Sequence, residues 1–244
     1  ESFEEGMKRQ PHVIAVDAGS TDPGPYYLGA GVSFTDRNAV KRDLEIILQA
    51  GLEQGIPVII GTAGGSGGEP HLSWVINIIR YITLEKGFNF RMAVIHAEVP
   101  KETVISRMRD GRVKSLGPVP ELTADQVEKA ERIVGQMGIE PFLKALEQDV
   151  QVIIAGRAYD PVVFASLAVK KGYDMGLAMH MGKILECACI AATPGSGSDC
   201  MMGYLREDLF KVEPLNPQRK CTTLSVAAHT LYEKSNPYIL PGPG

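Results

Sequence analysis

Four cysteines in 244 residues (Cys187, Cys189, Cys200 and Cys221) are too few and too unevenly spaced for a secreted disulfide framework. They carry no zinc signature either: Cys187 and Cys189 stand two apart on a helical stretch, which points their sulfurs apart, so no metal ligand is assigned. No apolar run approaches the roughly 20 residues of a membrane helix, so no membrane partner is expected. Neither sign of charge dominates, with 25 basic and 29 acidic residues and a net charge of -4, which gives no reason to expect nucleic acid as a partner. The opening ESFEEGMKRQ is acidic and polar, unlike a secretory signal, and a reduced cytoplasmic setting is the expectation. Repeats, linkers and low-complexity tracts are also missing, so 1–244 is read as a single domain of ordinary globular composition.

What is there is a strand–helix rhythm. HVIAVD (12–17), PVIIG (57–61), FRMAVIH (90–96) and QVIIAG (151–156) are near-continuous in Val and Ile, as parallel strands covered on both faces are. Between them, residues 39–55 keep Val40, Leu44, Ile47, Leu48 and Leu52 on one helical stripe, and residues 71–86 repeat Leu72, Val75, Ile76, Ile79 and Ile82. Thr123 followed by Gln126 predicts a capping box opening a helix through Val134. Further helices are expected near 159–171, 177–192 and 222–235, with a loop-rich stretch before the last. The predicted fold is α/β: a Rossmann-like open parallel sheet over 1–156, flanked by helices, with a mainly helical annex over 157–244.

Each strand runs into a polar or glycine-rich cluster, and in open parallel sheets ligands bind outside the carboxyl ends of the strands. The first cluster gives Asp17, Ser20, Thr21 and Asp22. After the second strand come Gly61, Gly64, Gly65, Ser66, Gly67, Gly68 and His71. The third ends in His96 and Glu98, and the fourth in Arg157, Tyr159 and Asp160. Glycines before a helix start suit an anion, because the first N–H groups of a helix have no internal partner. The spacing is neither GxGxxG nor a P-loop, and a tight turn accounts for the same residues. DAGST resembles the phosphate loop of sugar kinases and actin-like ATPases, but Pro23-Gly24-Pro25 stands where that loop needs a hairpin. Arg157 can clamp a carboxylate or phosphate by its planar fork, or simply pair with Asp160. His180, Lys183 and Cys187 share one face of a helix, and Ser225, His229 and Glu233 share one face of another. Asp17, His180 and Lys183 are the candidate catalytic groups. Lys183→Met is predicted to remove function while leaving the fold intact, since the stem packing is kept.

The segments VIAVDAGSTDPGPYYLGAG, IIGTAGGSGGEPHL, IVGQMG, AGRAYDP, HMGKILEC and EPLNPQRKCTTLSVAAHTLYEK together closely resemble the acyclic terpene utilisation (AtuA-like) family. That resemblance implies a catabolic setting, the breakdown of acyclic isoprenoids such as citronellol and geraniol through CoA thioesters, and a natural chain extending further at both ends. It carries over no catalytic residue and no cofactor. The sequence reading is an enzyme that acts on a small-molecule carboxylate or acyl-CoA by general acid–base chemistry, as a lyase or hydratase. The alternative is a non-catalytic ligand-binding or accessory subunit using the same crevice; a homo-oligomer is compatible with either.

Overall fold

A computed structural model describes residues 1–232, 236 and 238–243. In chain order its elements are α1 (Ser2–Lys8), β1 (Ile14–Gly19), α2 (Tyr26–Ala30), α3 (Arg37–Gln54), β2 (Val58–Gly65), α4 (Glu69–Lys86), β3 (Met92–Ile95), α5 (Lys101–Arg109), α6 (Ala124–Lys129), α7 (Glu140–Leu146) and β4 (Val152–Ala155). There follow α8 (Val162–Lys170), α9 (Met175–Leu185), a 3-10 turn (Ala188–Ala191), β5 (Met201–Leu205), β6 (Phe210–Pro214) and α10 (Thr223–Tyr232). No helix among the described residues is long and apolar enough to cross a membrane.

The four expected strands are neighbours in one parallel sheet, ordered β1-β2-β4-β3. Alternation along β2 explains its unbroken Val/Ile run. Val58 and Ile60 pack with Leu44 and Leu48 of α3 and Ile78, Ile79 and Ile82 of α4, while Ile59 faces Phe142 of α7 and Val163 of α8. Both faces are therefore dry, and the result is three layers. The helix after β2 (α4) lies on one face and the helix after β4 (α8) on the other, although β2 and β4 are adjacent. A crevice opens where neighbouring strands send their chains to opposite faces.

The annex after 157 is mainly helical, as expected, with α8, α9 and α10, and within its loop-rich stretch residues 201–214 add an antiparallel hairpin of β5 and β6 (Met202 opposite Glu213, Tyr204 opposite Lys211). Gly203 lets β5 close onto Met181 and Leu185 of α9. The helix opened by Thr123 ends at Lys129 instead of Val134. Ile133 and Val134 are β-branched and pair with Glu98 and Val99 as an extended segment instead. The end of the last helix and Glu233 fall outside the described residues.

The capping box itself is present. The Thr123 hydroxyl accepts from the Gln126 amide at 3.3 Å, and the Gln126 side chain accepts from the Thr123 amide at 2.9 Å. Thr123→Ala is expected to cost about 1 kcal/mol in denaturant unfolding. An unchanged midpoint at equal slope would show that this short helix contributes nothing to the measured stability.

Candidate active site

Asp17 is central to the site because of where β1 runs. β1 is an edge strand, and its open edge, together with β5, lines a slot-shaped cavity of about 580 Å3. Val13 and Ala15 of β1 and its approach, Phe164 and Leu167 of α8, and Met181 and Leu185 of α9 give it an apolar stretch, while Arg9, Lys171 and Arg206 add charge. Asp17, Glu186 and Asp199 are the carboxylates that line it. Asp17 Oδ1 is closed off from solvent and has no hydrogen-bond partner among the described residues. Burial is the main force pushing its pKa from 3.8 up to about 8, and the neighbouring Asp160 and Glu186 carboxylates add to it. Arg157 and the Gly19 amide pull the other way without reversing the shift.

Charge counting gives the same result. Oxygens of Asp17, Asp160 and Glu186 lie within 4.8 Å of one another. Arg157 stands 3.6 Å from Asp160, and Lys183 bridges Asp160 at 3.5 Å and Glu186 at 2.7 Å. Two cations balance two of the three carboxylates, and Asp17, raised furthest by burial, is the one that favours its proton. The same two cations already fill the role a divalent ion would have among these oxygens. Burial also raises the pKa of Glu186, opposed by Lys183 and Cys187.

A second cavity of about 550 Å3 opens at the carboxyl ends of the strands. Ser20 and Thr21 reach it from β1, Ser66 from β2 and Arg157 from β4, with Gln136 and Val134 opposite. Arg157 thus touches this second cavity while its charge acts on Asp17, which lines the first. Its side chain is only 12% exposed, so its fork is held in place.

The glycines are packing devices at least as much as openings. Gly67 has φ +69°, and a Cβ there would lie 2.2 Å from the Arg157 amide nitrogen; the Arg157 amide in turn donates to the Gly67 carbonyl at 3.1 Å. Gly67 therefore lets β2 and β4 close at their ends and fixes the backbone of Arg157. Gly65 meets Phe34, Gly64 meets His71, and Gly68 approaches Leu28, Glu98 and His71. His71 is buried, and its Nε2 donates to the carbonyls of Tyr27 (3.0 Å) and Val32 (3.1 Å), tying the loop before α3 to α4. At the α4 N-terminus the Glu69 amide donates to the Glu98 carboxylate at 3.0 Å, and Glu98 pairs with Arg132 at 3.2 Å. The anion at that helix start is the protein's own.

The remaining candidates separate. Asp22 is exposed, and its amide donates to Ser20 Oγ in a turn. Tyr159 donates its amide to the Met137 carbonyl and packs in the core under α8. His96 is exposed and pairs with Glu69. His180 is exposed with its ring edge-on to Phe210 at 5.1 Å, whereas Lys183, one turn later, points into the carboxylate cluster. Ser225 closes a cap with Thr222.

Sequence reasoning missed Thr62 and Glu186. Thr62 is fully buried with φ +47°, an uncommon conformation for a β-branched residue. It lies where the β1–β2 register jumps from Asp17↔Gly61 to Gly19↔Gly65, and its hydroxyl accepts from the Ala158 amide at 3.2 Å. That bulge lies directly beside Asp17. Glu186 carries no signal in the sequence for its burial.

The profile of the family described as "Acyclic terpene utilisation family protein AtuA" matches residues 36–200, more than half of the chain. Among curated proteins and among solved structures, none matches.

Proposed function

Because the chain belongs to the acyclic terpene utilisation (AtuA) family, we propose that it is a catabolic enzyme for acyclic isoprenoid carboxylates or their acyl-CoA thioesters, working by general acid–base chemistry as a lyase or hydratase. The observation that carries this reading is the Asp17 carboxyl, raised to about 8 on the wall of a cavity with an apolar stretch and within reach of the Arg157 charge. An acid that keeps its proton at neutral pH and can pass it on is what addition to, or elimination across, a bond next to a carbonyl requires. The apolar stretch of the first cavity suits a branched hydrocarbon chain, and the cavity's size falls in the usual range for a small-molecule site. Arg157, with the Ser20, Thr21 and Ser66 hydroxyls, suits the anionic end. Lys183 holds Asp160 and Glu186 in place, which keeps the proton on Asp17.

Calorimetric titration tests the anion site with branched 2-enoyl-CoA thioesters and the matching free acids. Arg157→Lys keeps the charge and loses the planar fork, and is expected to weaken binding by about 1–3 kcal/mol. Equal affinity for every ligand would remove Arg157 from the site. Binding without any turnover of the enoyl thioesters would favour a non-catalytic, ligand-binding role for the same cavities.

A further inference from the structure

Beside the carboxylate cluster, the structure brings His229 to the adjacent pair Glu186 and Cys187, which lie far from it in the sequence. Glu186 and Cys187 follow directly on α9, and His229 comes from α10, which packs on α9 and the 3-10 turn. One donor atom from each lies within 4.8 Å of the other two. Their orientation is fixed from outside. Lys183 holds Glu186 Oε1 at 2.7 Å, leaving Oε2 to face the Cys187 sulfur at 3.1 Å. The Tyr232 hydroxyl stands 3.3 Å from the same sulfur, one turn beyond His229 on α10. His229 is buried, and Cys187 is only partly covered.

We propose that Glu186, Cys187 and His229 form a binding site for a divalent ion of the zinc type, supplying three of its ligands. Separations of this size contract to those of a tetrahedral site by small side-chain rotations, since Zn–N, Zn–O and Zn–S bonds run about 2.0–2.3 Å. A mixed nitrogen, sulfur and oxygen set selects zinc-like ions over magnesium or calcium. The supporting contacts are those that metal ligands use: a cation fixing the far carboxylate oxygen, and a phenol able to donate to the thiolate. On binding, the Cys187 S–H bond breaks, its proton goes to solvent, and the thiolate takes the metal. This site is separate from the Asp17–Asp160–Glu186 oxygens, where Arg157 and Lys183 already supply the positive charge, but Glu186 belongs to both and links them.

The test uses chelator-treated full chain and cobalt(II) alone as the probe. One equivalent of cobalt is expected to produce a thiolate-to-metal charge-transfer band and to protect Cys187, mapped by mass spectrometry, from alkylation by iodoacetamide. Cys187→Ser should abolish the band, and His229→Gln should weaken cobalt binding by more than about 100-fold, beyond the loss typical of an outer contact. Circular dichroism of each variant separates ligand loss from unfolding, and the alkylation measurement on the unmutated chain needs no variant. Absence of the band together with unchanged alkylation of Cys187 would overturn the proposal, as would a band that survives in a folded Cys187→Ser protein.

Discussion

Asp17→Asn is expected to lower hydration of a branched 2-enoyl thioester by about 10²–10⁴-fold, the usual contribution of a positioned acid or base. The amide has the shape of the neutral carboxyl but no proton to give, so binding should change little. The parent rate should fall as the pH rises through about 8, where Asp17 loses its proton. Stability moves with the same group. Its folded pKa lies above the ordinary 3.8, so the fold holds a proton that the unfolded chain has released. That contribution is fully present below the unfolded value and is lost as the pH rises through the folded one. Inside the window each unit of pH removes about 1.4 kcal/mol. Between pH 5 and pH 7 the parent should therefore lose roughly 5–10 °C of melting temperature relative to Asp17→Asn, at about 2–4 °C per kcal/mol for a chain of this size. Parallel melting curves for the two proteins would mean that Asp17 is ionised in the fold.

The second large effect belongs to Lys183. Read from the sequence, Lys183→Met spares the fold, because a long apolar side chain keeps the packing of the stem. The contacts of Lys183 lead to a different expectation for stability. Lys183 is 12% exposed and lies 2.7 Å from Glu186, whose side chain is only 7% exposed. Removing the cation leaves carboxylates in a nearly dry site, and breaking such a pair costs about 3–5 kcal/mol. Lys183→Met should therefore be strongly destabilised in urea at neutral pH. The double variant Lys183→Met, Glu186→Gln should recover most of the loss, because the stranded charge goes with its partner. A single variant within about 1 kcal/mol of the parent would show that the pair is solvated and the cluster loose.

The sheet was legible because both faces of β2 and β4 are buried, which writes unbroken Val/Ile runs into the sequence. The hairpin of β5 and β6 was not, since half-buried strands such as FKVEP and MMGYL lack a strong alternating pattern. At the site, local sequence gave Asp17, Ser20, Thr21, Ser66 and Arg157, each directly after or within a strand. The glycine run was visible as a run, but sequence could not show that Gly67 packs against the Arg157 backbone or that Glu98 occupies the helix start. Nor could helical spacing separate His180 from Lys183. The difference comes from what packs on each: Phe210 of the unforeseen hairpin in one case, Asp160 and Glu186 in the other. Glu186 itself becomes buried only once α9 packs against α8 and the β5–β6 hairpin.

Protonation of Asp17 is the point on which the proposed chemistry depends. The direct measurement is the infrared carboxyl band in the difference between the parent and Asp17→Asn across a pH series. A protonated C=O band that persists at neutral pH and disappears with a midpoint of about 8 is the expected result. A midpoint near the ordinary 3.8 would contradict it and leave the cluster a structural ion network.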